Sequence, residues 1–175
     1  MTKLIFEKTY DEAERRGITE RGWILNRAKQ MYKNPNHLFT LHENLKRDPE
    51  KNNMYLFRYE PKTRRDLPYY DTLPLTLVLE IKRNGLFGIN FHYMPPIMRR
   101  KMLSMLMEAD TEQKFNRIIR SREIKPAVKF YLRNQIKSYL LEINKKEWDL
   151  IGELRIEQFR KEMKTTVWNK TMGAL

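Results

Sequence analysis

Between Leu75 and Tyr93 lies the feature that most restricts what this chain can fold into. Leu75–Lys82 (LTLVLEIK) and Leu86–Tyr93 (LFGINFHY) are apolar runs rich in strand-forming residues. Asn84-Gly85 separates them, and both residues tolerate the positive φ that a tight hairpin turn requires. The two runs must therefore pair antiparallel. Just upstream, Tyr55, Phe57 and Tyr59 alternate with Leu56 and Arg58, the period-two pattern of a strand. Pro61–Asp66 (PKTRRD) is a basic turn, and Leu67–Pro74 is extended and irregular, held by Pro68 and Pro74. A small antiparallel sheet of three to four strands is expected.

Helical signals flank this region. Thr19 is placed to cap a helix running to about Tyr32, which Asn34-Pro35-Asn36 ends. His37–Asn53 is polar and reads as a linker or a loop-rich arm able to wrap a partner. Pro95-Pro96 suits a helix start, followed by Ile97–Ala109 with Met98, Met102, Leu103, Met105 and Leu106. Pro126 is expected to start another helix reaching about Leu141. Trp148–Lys164 fits either a helix or an irregular edge, and Thr165–Leu175 reads as a tail anchored by Trp168. The expected class is α+β: an N-terminal helix and loop-rich arm over residues 1–53, then a core domain over 54–175 whose sheet is packed by C-terminal helices.

Composition excludes several function classes. The chain has 175 residues and no cysteine, so disulfides, thiolate metal sites and cysteine nucleophiles are ruled out. No apolar run approaches the roughly 20 residues of a membrane-spanning helix. The opening MTKLIFEKTYDEAERR turns polar too early for a secretory signal, so retention inside the cell is expected. Net charge is +13, which favours a polyanionic partner because lysine and arginine displace counterions from nucleic-acid phosphates.

The densest positive stretch lies between Gln113 and Leu141. It holds Lys114, Arg117, Arg120, Arg122, Lys125, Lys129, Arg133 and Lys137, opposed only by Glu123. On the expected helix, Lys129, Arg133 and Lys137 share one face, beside an apolar stripe of Val128, Leu132, Ile136 and Tyr139. Like charges four apart on a helix repel, so such a face calls for an anionic partner, either DNA or an acidic protein surface. Lys125, Arg117 and Arg120 extend the candidate phosphate-binding set. Arg99, Arg100 and Lys101 and the turn residues Lys62, Arg64 and Arg65 offer further contacts. Tyr69 and Tyr70, next to that turn, fit either half-buried core or a platform for stacking bases.

An enzyme signature is harder to find. His37, His42 and His92 form no metal-binding spacing, and there is no phosphate-binding Gly-rich loop ending in Lys. Gly85-Leu86-Phe87-Gly88 sits in a hairpin rather than between helices, so it is not an RNA clamp; Gly88 marks a bulge or a close backbone approach. Asp71 with Glu80-Ile81-Lys82 resembles the carboxylate–carboxylate–lysine set of metal-dependent nucleases. Structural roles are the alternative: Asp71 accepting backbone hydrogen bonds at a corner, and Asn90 and His92 as satisfied polar groups on a core strand.

Five segments carry a family resemblance: MYLFRYEPKT from Met54, LPYYDTLPL from Leu67, GLFGINFHYMPP from Gly85, IKPAVKFYLRNQIKS from Ile124 and KTTVWNK from Lys164. Together they are similar to small proteins of large contractile-tailed bacteriophages, of the DNA end protector or virion type. The resemblance spans Met54 to Lys170. It implies a non-enzymatic protein that binds double-stranded DNA without sequence specificity, at packaged genome ends or in the virion, alongside other virion proteins. It implies no cofactor and no catalytic residue. The alternatives are a neck, tail or baseplate component docking on acidic partners, and a Mg²⁺-dependent nuclease.

Overall fold

The computed structural model describes residues 2–173. In chain order its elements are α1 (Glu7–Arg15), α2 (Arg21–Met31), β1 (Leu45–Lys46), β2 (Met54–Leu56), β3 (Tyr70–Asp71), β4 (Leu75–Lys82), β5 (Gly85–Asn90), α3 (Pro96–Glu108), α4 (Glu112–Ile119), β6 (Val128–Leu132), β7 (Leu140–Ile143), α5 (Trp148–Glu153), β8 (Phe159–Arg160) and α6 (Lys164–Gly173). Single 3-10 turns link several of them. Six strands form one antiparallel sheet in the order β1-β7-β2-β4-β5-β6, and β3 pairs with β8 in a separate two-stranded ribbon.

The β4–β5 hairpin closes through Arg83-Asn84, with Lys82 opposite Gly85, and neither Asn84 nor Gly85 takes the positive φ expected of it. Its register shifts between Val78 and Glu80, one residue bulging out of the ladder. Gly88 sits opposite Val78, where a Cβ would collide with the Thr76 side chain and the Leu77 carbonyl, so the close approach requires glycine.

The sheet has six strands rather than three to four. The extra ones come from segments expected to be something else. β1 lies in the stretch that reads as a linker, and β6 and β7 lie where a helix from Pro126 to Leu141 is expected. The second difference has an arithmetic reason. Val128, Leu132 and Ile136 recur every four residues, a spacing that fits both the helical period of 3.6 and the strand period of two. Aromatic Phe130 and Tyr131 favour the strand, and Lys125–Ala127 and Arg133–Gln135 form only single 3-10 turns. At the C-terminus, the expected tail is helix α6. Its anchor is Trp168, whose indole N–H donates to the His92 carbonyl at 2.8 Å.

Alternation along the strands gives the sheet two apolar faces. Met54, Leu56, Leu75, Leu77, Ile89, Leu141 and Ile143 point into the main core beneath the helices. Tyr55, Phe57, Val78, Leu86, Tyr131 and Leu140 form a smaller aromatic cluster on the opposite face. Residues ahead of β2 also enter the main core: Ile5, Phe6, Ala28 and Leu38 are all buried there. The backbone N–H groups of Ile5 and Phe6 donate to the buried Glu147 carboxylate at 2.6 and 2.9 Å, which ties the start of the chain to the turn before α5. Burial pushes Glu147 above the usual carboxylate range, against the opposing pull of those two N–H groups.

Arg99 on α3 is fully buried and is consumed by carbonyl oxygens. It donates to Phe91 O at 2.8 Å, Gly152 O at 2.9 Å, Met94 O at 3.0 Å and His92 O at 3.4 Å, with the Glu157 carboxylate 3.7 Å away. This single side chain fastens α3, α5 and the turn after β5 together. Burial lowers its pKa, partly offset by Glu157.

Candidate nucleic-acid interface

The structure distributes the six candidate cations along an extended path rather than on one helix face. Arg117 is on α4 and Arg120 caps its end; Lys125 opens the 3-10 turn before β6; all three are exposed or partly so. Lys129 is on β6. Arg133 opens the next 3-10 turn and forms an exposed ion pair with Asp48 at 3.0 Å. Lys137 lies beyond that turn, its backbone N–H held by Arg58 O at 2.8 Å. Arg133 lines one surface pocket with Arg47 and Tyr139, and Lys137 lines a second with Arg58 and Tyr139. Arg47 adds a guanidinium 6.0 Å from the Tyr139 ring centroid. Arg117, Arg120, Lys125, Lys129 and Lys137 make no ion pair among the described residues.

Lys129 occupies a different setting from its two expected partners. It is half-buried in a cleft of about 430 Å³ between β6 and the segment from Tyr59 to Asp71. Its Nζ lies 4.2 Å from the centroid of the Tyr93 ring, a close cation–π contact. Burial lowers the Lys129 pKa from the ordinary lysine value. The walls are aromatic: Tyr59, Tyr69, Tyr70, Tyr93, Phe130 and Tyr131. Tyr69 and Tyr70 are half-buried in the cleft wall.

The basic turn forms the rim. Lys62 lines the cleft, and Arg64 pairs with Glu60. Lys161 folds over the turn from the other side, its ammonium donating to Leu67 O at 2.7 Å and Arg65 O at 3.1 Å. Lys170 on α6 stands 5.3 Å from the Tyr69 centroid. Of this set, Tyr59, Tyr93, Phe130 and Tyr131 do not stand out from sequence as site residues. They look like ordinary core aromatics until the chain between 59 and 71 folds across β6.

Beneath the cleft, Asp71 is buried and fully engaged. Its Oδ1 accepts from Leu73 N at 2.9 Å; its Oδ2 accepts from Asn90 Nδ2 at 2.9 Å and lies 3.1 Å from His92 Nδ1. Asn90 Nδ2 also donates to the Tyr131 hydroxyl at 3.0 Å, and Asn90 Oδ1 accepts from His92 N at 3.0 Å. Burial alone would raise the Asp71 pKa, but His92 and these donors outweigh it and hold the carboxyl below its ordinary range. Burial raises Tyr131 well above the usual phenol value.

The nuclease-like trio is not assembled. Glu80 is exposed and paired with Lys82 at 2.5 Å. It sits four residues along β4 from Thr76, which faces the Asn90 that binds Asp71, and four strand residues span roughly 13 Å. Ligands of one Mg²⁺ must lie about 2 Å from the ion, so Asp71 and Glu80 cannot share one here. No cluster of three metal-ligating side chains exists among the described residues.

A family model for the phage T4 terminal DNA protecting protein matches residues 13–172. The chain belongs to that family. Membership covers α1 through α6, so it includes the aromatic cleft, the basic rim and all six candidate cations. It begins at Ala13, well before Met54, so the family pattern reaches further toward the N-terminus than the segments read from sequence. No curated protein and no solved structure is a match for the chain.

Proposed function

We propose that the protein binds the ends of linear double-stranded DNA without cutting it and without reading its sequence, in the phage particle and in the host cytoplasm during assembly. The observation that carries this reading is membership, over residues 13–172, of a family described by terminal DNA protection. The cation distribution supports it. Lys129, Arg133 and Lys137, aided by Arg117, Arg120 and Lys125, supply the phosphate contacts. Contacts of that kind position a protein on DNA but carry no sequence information.

Two measurements test it together. Purified protein should shield linear duplex from an exonuclease and should prefer linear duplex to the same DNA as a closed circle. Binding should weaken steeply with salt. Replacing Lys129, Arg133 and Lys137 with alanine should reduce the slope of log K against log salt by up to about 2.7, since each phosphate no longer neutralised takes away roughly 0.9. Equal affinity for circles and linear DNA removes the end-binding part. An unchanged slope in the triple variant removes the residue assignment.

One feature favours additional contact with another virion protein. Ile97 is 84% exposed, and it lines an apolar groove with Pro95, Met98 and Met172. A neck, tail or baseplate role through that surface predicts a symmetric ring of the protein in purified particles, away from the DNA.

A further inference from the structure

We propose that the aromatic cleft receives the terminal nucleotide of the DNA, unpaired from its partner strand, with the base stacked on Tyr69, Tyr70 or Phe130 and its phosphate met by Lys129. The inference rests on the DNA-end reading above and specifies how an end is told from the interior of a duplex.

Size comes first. At about 430 Å³ the cleft falls in the ~300–1,000 Å³ range of sites that enclose one small molecule. A cleft that encloses one small molecule is too small for a duplex, whose major groove alone is ~12 Å wide. A single nucleotide can enter. Unpaired bases are available where a duplex frays, at its termini, whereas an interior base must first be unpaired and unstacked at a cost of a few kcal/mol. A pocket that accepts only an unpaired nucleotide therefore selects ends by energy, with no need to read sequence.

Chemistry agrees. Every base has a π face, so aromatic walls bind bases with little sequence preference. Tyr69, Tyr70 and Phe130 keep part of their surface accessible, while Tyr93 and Tyr131 are buried and fix the wall behind them. Tyr70 has no ring partner within the described residues. The one carboxylate in the lining, Asp71, is 2% exposed and saturated by its own donors, so it presents no free anion to a phosphate. Lys129 has no carboxylate partner among the described residues, and Lys62 adds positive charge at the mouth; Lys170, near Tyr69, is paired with Glu162 at 3.8 Å.

The test uses full-length protein and linear duplex carrying 5-iodo-deoxyuridine either at the terminal nucleotide or ten base pairs inward. Ultraviolet cross-linking followed by peptide mapping should place the terminal probe on Tyr69, Tyr70 or Phe130, and the inward probe on none of them. Tyr70→Leu should weaken binding to ends by between about fivefold and a hundredfold, the range expected for removal of one base stack, with binding to closed circles little changed; Lys129→Met, which also takes away a phosphate contact, should weaken binding to ends more than binding to circles. If the complex still shields ends from exonuclease but the terminal probe cross-links only outside the cleft, the cleft assignment fails and the end-binding reading survives. If neither protection nor end preference is seen, both fail. Cross-linking to the cleft by free 5-iodo-deoxyuridine monophosphate at the same concentration, as efficient as from the DNA terminus, would assign the cleft to a free nucleotide and overturn the proposal.

Discussion

Two regions of the molecule treat a buried cation in opposite ways. On the helix-covered face of the sheet, Arg99 donates to four carbonyl oxygens and has a carboxylate 3.7 Å away. At the edge strand β6, Lys129 is partly desolvated against Tyr93 and has no anionic partner among the described residues. The first cation completes an internal structure. The second keeps its charge uncommitted next to a cavity. The position of a positive charge in the sequence does not separate these cases; the number of acceptors folded around it does.

The largest expected effect is in the first region. Arg99→Met keeps much of the volume but removes four hydrogen bonds to carbonyls, of which His92 O keeps Trp168 and Phe91 O keeps Met94 N, and takes one of the two cations near Glu157, leaving Lys164 at 3.9 Å. Removing one partner from a buried charged set costs about 3–5 kcal/mol. That is a large share of the roughly 5–15 kcal/mol that holds a domain together. Urea denaturation should show a midpoint shift of that size or no folded protein. A loss under about 1 kcal/mol would break the contrast, because Arg99 would then be no more structural than Lys129.

A smaller effect is expected where the two regions meet, at Asp71. Asp71→Asn keeps the shape and removes the charge that faces His92 and takes the Asn90 amide. The cost should be about 1–3 kcal/mol, the usual range for a disrupted buried hydrogen bond. The sign of its pH dependence follows from the direction of the shift. The Asp71 carboxyl is held below its ordinary value, so its stabilisation is fully present above the unfolded carboxylate value of ~3.9 and is lost as pH falls through the lower folded value. The wild type should therefore lose more stability than Asp71→Asn on acidification below about pH 4. Parallel pH profiles would show that Asp71 is not held in its charged form by the fold.

These residues also show how much can be read from the chain alone. The β4–β5 hairpin is legible because Asn84-Gly85 is a local signal that interrupts two strand-forming runs, although the turn itself falls on Arg83-Asn84 and neither Asn84 nor Gly85 takes the positive φ expected of it. Gly88 is legible for the same reason: a glycine inside a strand pattern marks a close approach. Asp71 as an acceptor of backbone hydrogen bonds and Asn90 as a satisfied polar group are structural alternatives in sequence and are found so engaged, whereas His92 is satisfied only in part: its Nδ1 faces Asp71 and its buried Nε2 has no partner among the described residues. The strands β6 and β7 read as helix because a spacing of four suits both periods, and Tyr139, three residues after Ile136, tips the pattern toward the helical one. The cleft cannot be read at all. Tyr59, Tyr69, Tyr93 and Tyr131 come from four separated segments, and only the fold of 59–71 across β6 brings them together. The charge of Lys129 is visible, but its separation from Arg133 and Lys137 is not, since that depends on the strand geometry.

The smallest expected change in stability is the one that sharpens the comparison most. Lys129→Met replaces a partly desolvated ammonium with an apolar chain of similar length in an aromatic setting. Burial lowers the Lys129 pKa, so the charged form is disfavoured by the fold relative to the unfolded chain. A lysine shifted that way weakens the folded state while it is charged, and the penalty fades as pH rises through its folded value. Lys129→Met removes the penalty and also removes one cation–π interaction of roughly 0.5–2 kcal/mol. These oppose each other, so the net change in unfolding free energy should be within about 1 kcal/mol of zero, and the gap to wild type should drift in favour of the wild type at alkaline pH. The same variant should take about 0.9 from the salt slope of DNA binding. A residue that costs the fold almost nothing to remove and DNA binding a whole phosphate interaction is kept for its partner. If instead Lys129→Met destabilises the protein as strongly as Arg99→Met, the ammonium is a structural element of the cleft wall, and the two regions use their cations in the same way.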